Sequence, residues 1–315
     1  MPRLIALGET MVSFSAESRG YLRYARQYRP YIAGAETNTL IGISKLGISG
    51  GWISKLGDDE FGKFVLNAVR GEGVDCSTVK MDKTHPTGIM FKERRFSESK
   101  VFYYREGSAA SALRPEDIDE EYLRQGETFY FSGVTPVLSE TCQETVRYCV
   151  ALAQKYHLKI GYDPNVRKKL WKTGKEKDIL REFLLCADYV FLGTEELRLL
   201  MDTTDTQKAA ELILQHNPDA IVVIKQGSQG ACVVTAEQQF KSDSYPCVAR
   251  EPIGAGDAFN AGFLGGLLQG KSLDICAKMA NIAGALVTET ESDTENQPDA
   301  QEILNHLNGL SEVFR

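Results

Sequence analysis

The residues best suited to chemistry lie in one short stretch, 251–260, which reads EPIGAGDAFN. Gly254, Ala255 and Gly256 carry no bulky side chain, so their backbone N–H groups can approach an anion at the start of the helix that the following apolar spacing predicts. Asp257 would repel a phosphate there, but its carboxylate can take a proton from a hydroxyl that attacks that phosphate. The alternative is a glycine-rich turn in which Asp257 only caps the helix.

The composition argues against several classes of protein. The chain has 315 residues, 43% hydrophobic and 25% charged, as in globular proteins with a sizeable core. The formal net charge of −7 argues against a nucleic-acid-binding protein, and no apolar run is long enough to predict a membrane span. The scattered cysteines and histidines contain no C-x-x-C pair. They predict reduced thiols in a cytoplasmic protein without a zinc site.

The elements that must position the 251–260 stretch alternate along the chain. Short apolar strands are predicted at 4–7, 128–131, 159–163, 189–192 and 220–225, and amphipathic helices lie between them from Pro115 onward. This alternation predicts an α/β fold, with a mostly parallel central sheet flanked by helices. Ligands of such sheets bind at the carboxyl ends of the strands.

Two inserts interrupt the alternation. Residues 12–32 are rich in Tyr and Arg, and residues 87–106 contain two strands around a polar turn at 96–99. Because the inserts are separate in sequence, we expect them to fold together as a small β lid on a single domain, 1–315. The exposed edges of such a lid can be covered by another subunit, which predicts a homodimer or a larger homo-oligomer.

Three motifs, taken in order, resemble those of the ribokinase-like (PfkB) carbohydrate kinases. They are Gly34 to Asn38, the GDDEFG segment at 57–62, and the GAGD segment at 254–257. Their order and spacing fit essentially the whole chain. The resemblance implies a ribokinase-like fold and transfer of a phosphoryl group from ATP, with Mg²⁺, to a sugar hydroxyl. It also implies that Asp257 is the catalytic base and that Gly254, Ala255 and Gly256 form an anion hole.

Two further segments, FYYREGSAAS at 102–111 and DPNVRKKLW at 163–171, are similar to those of the 2-keto-3-deoxygluconate kinases within that family. By position, the resemblance implies that a sugar acid is held by Gly34, Asn38, Tyr103, Arg105, Arg167 and Asp293. It places on the nucleotide and phosphate side Asn165, Lys225, Gly227, Gly230 and Gly254. It assigns Glu196 to Mg²⁺, through water.

The chain departs from the family pattern at several positions. Ala33 stands in place of the first of two glycines before the early helix, and Glu251 stands where Asp is common. The Asn of the family's Asn-x-x-Glu motif is replaced by Gly193.

The two arginines have a chemical rationale as well. Arg105 ends a predicted lid strand and Arg167 follows a predicted core strand, so both are expected at the cleft. Two guanidinium groups that converge on a carboxylate form charge-assisted bonds worth about 1.5–3 kcal/mol each. A neutral sugar would leave them unpaired. The alternatives are a solvated strand-end charge for Arg105, a surface charge for Arg167 and lid packing for Tyr103.

Other functions stay open at this point. They are a kinase for a neutral sugar such as fructose or ribose, and a non-catalytic sugar-acid-binding protein on the same fold. A nicotinamide dehydrogenase is disfavoured, because the first predicted βα turn, 8–10, lacks the dinucleotide fingerprint. Residues 225–230 lack the order of a P-loop. They are interpreted as a turn at the nucleotide or as a plain glycine hairpin.

Overall fold

The computed structural model describes residues 1–95, 99–290 and 292–309. Its strands are β1 Leu4–Leu7, β2 Met11–Ala16, β3 Tyr28–Ala33, β4 Gly50–Ile53, β5 Lys55–Gly57, β6 Lys80–Asp82, β7 Ile89–Arg94, β8 Ser99–Tyr104, β9 Thr128–Ser132, β10 Lys159–Asp163, β11 Tyr189–Gly193, β12 Ile221–Lys225, β13 Ala231–Val234 and β14 Gln239–Ser242. Its helices are α1 Ala35–Lys45, α2 Glu60–Gly71, α3 Glu120–Leu123, α4 Glu140–Lys155, α5 Glu176–Leu184, α6 Thr194–Leu200, α7 Thr206–Leu214, α8 Ala255–Leu268, α9 Leu273–Leu286 and α10 Ala300–Leu307.

The central sheet has the strand order β14-β13-β12-β11-β10-β9-β1-β4. The strands from β12 to β4 are parallel, whereas β13 and β14 run antiparallel to their neighbours. The prediction of an α/β fold with a mostly parallel sheet is therefore confirmed. β14 was not expected, because it contains few apolar residues and lies at the sheet edge, where burial does not shape its sequence.

Helices cover both faces of this sheet. One apolar core contains buried side chains of α1, α8 and α9, and a second contains those of α4, α5, α6 and α7. Strands buried on both faces need apolar residues throughout, which is why β9 and β11 are almost continuous hydrophobic runs. With both faces packed, the open end of the sheet is where its carboxyl-terminal loops lie.

A second sheet, with the order β3-β2-β7-β8, is built from the two inserts. β2 pairs in parallel with β7, so the two inserts join side by side through this pair. Part of the first insert differs from expectation, because residues Leu22–Tyr24 form a 3₁₀ turn instead of strand. Most of the turn predicted at 96–99 lies outside the described residues. We call this sheet the lid.

None of the helices in the described ranges combines the length and apolar character that a bilayer crossing requires.

Candidate active site

A cavity of about 470 Å³ lies between the lid and the carboxyl ends of the central strands. Its lining contains all the residues that sequence analysis assigned to the sugar acid, namely Gly34, Asn38, Tyr103, Arg105, Arg167 and Asp293. It also contains the predicted catalytic and phosphate residues Gly254, Gly256, Asp257 and Lys225, together with Asn165 and Glu196. We call it the central cavity. The structure thus brings together residues from distant parts of the chain, and their individual roles stay predictions.

The GAGD turn needs its first glycine. Gly254 precedes α8 with φ +89°, in the left-handed region that favours glycine. A Cβ at this position would lie 2.7 Å from the carbonyl oxygen of Asp293, which is too close for any side chain. The turn therefore places bare backbone at the start of α8, where N–H groups and the helix dipole favour an anion.

Asp257 lies in the first turn of α8 and is partly buried. Removal from bulk water raises the pKa of its carboxyl from 3.8 to about 8. The hydrogen bond from Asn38 opposes that rise, repulsion by Asp163 adds to it, and Arg167 and Lys225 oppose it. A carboxyl with this pKa can take up and release a proton near neutral pH, which is what a general base requires.

Lys225 ends β12 beside this turn. Its ammonium donates to Asp163 Oδ2 at 2.6 Å, and a Cβ on Gly256 would be 3.5 Å from its Nζ. Asn260, fully buried, donates to the same Asp163 oxygen at 2.6 Å and to the Tyr130 hydroxyl at 3.0 Å. Burial lowers the pKa of Lys225, but Asp163 and Glu196 outweigh this and raise it. A fixed, charged ammonium therefore lies beside the GAGD turn.

Arg105 has a partner that sequence analysis missed. Its Nε donates to Glu9 Oε2 at 2.7 Å, and Ser108 Oγ donates to the other Glu9 oxygen at 2.6 Å. All three residues are buried. Glu9 itself lines the central cavity, and its position two residues after the end of β1, at a carboxyl strand end, is the signal that could have identified it.

Arg167 differs from Arg105. It is exposed at the central cavity, and within the described ranges its guanidinium forms neither a hydrogen bond nor an ion pair. The two guanidinium groups therefore differ in the charge they can offer to a ligand, because Glu9 already compensates the charge of Arg105. Tyr103 lines the cavity and also packs against the lid residues Met11, Ala33 and Met90, so its contact with a sugar acid stays a prediction.

A second cavity of about 490 Å³, here called the outer cavity, lies on the other side of the GAGD turn. Gly227, Gly230 and Ala255 line it, as do Tyr245 and Phe259. The two cavities share Lys225, Pro252 and Gly256 in their linings. Asn165 and Gly254, predicted on the nucleotide and phosphate side, line the central cavity, and their roles stay predictions. A larger cleft of about 920 Å³ runs along the other edge of the lid and contains none of the GAGD residues.

Glu196 is a weaker site residue than the others. Its carboxylate accepts hydrogen bonds from the backbone N–H groups of Val166, at 2.8 Å, and Gly193, at 2.7 Å. Burial and the nearby Asp163 raise its pKa. Among the described residues there is no group of three or more His, Cys, Asp or Glu side chains that could hold a metal ion.

An α/β sheet, a lid and two cavities that meet at a glycine-rich helix start are the arrangement expected of a small-molecule kinase. Residues 1–300 match the model of the pfkB family carbohydrate kinases, and the chain belongs to that family. It is therefore a sugar kinase.

Several individual proteins are similar to this chain over most of its length. A 2-dehydro-3-deoxygluconokinase from Thermoproteus tenax is 30% identical over 98% of this chain and 95% of its own. A 5-dehydro-2-deoxygluconokinase from Halalkalibacterium halodurans is 29% identical over 95% of this chain and 92% of its own. Among solved structures, a sugar kinase from Pyrococcus horikoshii in complex with ATP has a TM-score of 0.84 at 25% identity. That likeness covers 95% of this chain and 99% of the other.

Proposed function

We propose that the protein phosphorylates the terminal hydroxyl of 2-keto-3-deoxygluconate with ATP, giving 2-keto-3-deoxy-6-phosphogluconate and ADP. The observation that carries this proposal is the position of Asp257. It lies in the first turn of α8, in the lining of the central cavity, next to the Gly256 that both cavities share. A hydroxyl in the central cavity and a phosphate reaching in from the outer cavity would meet at this residue.

The chemistry follows from the charges around that point. Asp257, as a carboxylate, takes the proton of the attacking hydroxyl, while backbone N–H groups of the GAGD turn stabilise the charge on the transferred group. Lys225, at the junction of the cavities, supplies a further positive charge to the phosphate. These groups are in place before the reaction, so little reorganisation is needed during transfer.

The outer cavity is the proposed site of ATP. Aromatic and small residues in its wall, including Tyr245, Phe259 and Gly284, suit a flat nucleobase, and Gly227 and Gly230 let the backbone approach closely. Mg²⁺ prefers oxygen ligands, keeps several waters and binds through substrate phosphates, which fits a site with few protein carboxylates. Glu196 is the residue proposed to hold it through water; when bound, the ion neutralises phosphate charge.

The substrate class rests on Arg167. An exposed, unpaired guanidinium in the lining of the central cavity suits a carboxylate, and the named relatives act, by their names, on keto-deoxy sugar acids. The relative from Halalkalibacterium makes 5-dehydro-2-deoxygluconate a second candidate substrate. Both candidates carry a carboxylate, so the same arginine would serve either one.

The decisive experiment measures ADP release across a panel of sugars with the purified protein. We expect turnover with 2-keto-3-deoxygluconate to exceed that with 5-dehydro-2-deoxygluconate, and both to exceed fructose and ribose. Faster turnover of a neutral hexose would overturn the substrate class. Binding of the sugar acid without any ADP release would instead favour a non-catalytic binding protein.

We further propose that the protein is a homodimer in which the lids meet. The lid exposes aromatic side chains, with Phe102 41% and Tyr104 63% accessible, and these are large apolar groups for a free surface. Sedimentation equilibrium tests this, and a monomer at micromolar concentration would refute it.

A further inference from the structure

Two polar contacts connect the lid to the segments that flank the GAGD turn. Lys92, on β7, donates to Asp293 Oδ1 at 3.2 Å, and Ser99, on β8, donates to Glu251 Oε2 at 2.8 Å. Lys92, Asp293 and Glu251 are buried, with 3%, 6% and 7% of their surface accessible. The family motifs had predicted neither contact.

Both partner segments adjoin the phosphate-binding turn. The backbone of Asp293 packs directly on Gly254, where even a Cβ would collide with it. Glu251 lies three positions before Gly254 in the same stretch. A displacement of either segment would therefore disturb the backbone that is proposed to bind the transferred phosphate.

The contacts have the character of a positioning device. A buried ion pair seldom adds net stability, because the desolvation of both charges offsets their attraction. Its geometry is nevertheless sharply defined, since a displaced partner leaves an uncompensated buried charge. The Glu251 carboxylate depends on its contact with Ser99 in a similar way, because its Oε1 is buried without a hydrogen-bond partner among the described residues.

We propose that Lys92 is a positioning residue that holds Asp293 over the GAGD turn and keeps the lid closed during transfer. The proposal rests on the proposed kinase reaction. Closure excludes water, so the phosphoryl group reaches the sugar and is not lost to hydrolysis. Ser99, paired with Glu251, acts in the same direction from the neighbouring strand.

The test compares Lys92→Met, Lys92→Arg and Ser99→Ala with the unaltered protein. For each, the sugar phosphate formed per ADP released is measured with the preferred sugar, together with the Tm. We expect Lys92→Met to lower that ratio and to reduce kcat about 10- to 100-fold, the range for losing one charge-assisted hydrogen bond. Its KM for ATP should stay within about twofold, because Lys92 does not line the outer cavity.

The Arg variant keeps the charge and should recover most of the ratio. Ser99→Ala, at an exposed and easily tolerated position, should lower the ratio to a smaller extent. An unchanged ratio in a folded Lys92→Met would overturn the proposal; if Lys92→Met does not fold, an unchanged ratio in Ser99→Ala would do so. Failure of the unaltered protein to phosphorylate any sugar would refute the kinase reaction instead, which keeps the two failures distinguishable.

Discussion

Asn38 donates a 2.8 Å hydrogen bond to Oδ2 of Asp257, although 219 positions separate the two residues. The bond joins the first turns of α1 and α8, the helices that carry the early and the late family motifs. It fixes one oxygen of the proposed base, and in the described part of the chain no hydrogen bond engages the other. The two motifs thus form one structural unit at the floor of the central cavity.

The first prediction concerns the base itself. Asp257→Asn keeps the shape and can still pair with Asn38, but it cannot accept the hydroxyl proton. We expect kcat to fall about 10²- to 10⁴-fold, the usual contribution of a general base. ATP affinity, followed by titration calorimetry, should barely change. Near-normal turnover in this variant would exclude Asp257 from the role.

The second prediction is a pH profile. Since the pKa of Asp257 is raised to about 8, the free enzyme holds the inactive, protonated form at neutral pH. The logarithm of kcat/KM should therefore rise with pH at a slope near one and level off above about pH 8. A flat profile between pH 6 and about 9 would contradict the assignment.

The same shift makes a prediction for stability. A raised carboxyl pKa means that the native state holds a proton that the unfolded chain releases, between the ordinary value of 3.8 and about 8. The free energy of unfolding should thus decline as the pH rises through this window, relative to Asp257→Asn, which has no such proton. Urea unfolding of both proteins at several pH values measures the difference. A constant difference would argue that Asp257 titrates normally in the fold.

The arginines should separate in their effects. Arg167→Ala removes an unpaired, exposed cation, so KM for the sugar acid should rise about 10- to 100-fold at an unchanged Tm. Arg105→Ala leaves the buried Glu9 carboxylate without a compensating charge and should destabilise the fold by about 3–5 kcal/mol. The double variant Glu9→Gln with Arg105→Met is the matched control and should recover part of that loss. If Arg167→Ala uses the acid as before, Arg167 does not bind the carboxylate.

Cys247 offers a test of the nucleotide site. It is exposed and lines the outer cavity, whereas Cys76, Cys142, Cys149, Cys232 and Cys276 are buried. A thiol reagent should modify it fastest, and saturating ATP should slow that reaction by at least about tenfold by blocking access. Cys247→Ser should abolish the fast phase. Equal rates with and without ATP would place the nucleotide elsewhere.

The sequence predicted well what depends on local pattern. The alternation of strands and helices predicted the sheet. The glycines of the GAGD turn indicated the helix start, because the left-handed backbone conformation of Gly254 favours glycine. The GDDEFG motif is explained in part by such a local pattern. Asp59 caps α2 by accepting from the N–H of Gly62, and it also accepts hydrogen bonds from Thr87, where the second insert begins.

What the sequence did not predict depends on pairing between distant side chains. Nothing near Arg105 indicates that Glu9, 96 positions earlier, would compensate its charge. Nor does the substitution of Glu for the usual Asp at position 251 reveal Ser99 as its partner. Residue order also does not fix which of two adjoining cavities a loop faces: Asn165, predicted on the nucleotide and phosphate side, lines the central cavity, and its role stays a prediction.

The way in which the lid is attached limits how it can move. β2 and β7 start, and β3 and β8 finish, at the same end of the lid, as the pairing of Met11 with Ala33 and of Ile89 with Val12 and Tyr104 shows. The four strand ends that connect the lid to the rest of the domain thus lie side by side along one edge. An attachment of this kind favours rotation of the lid about that edge over twisting or sliding. The far end travels furthest, so a small rotation at the hinge line is enough to admit or release a substrate.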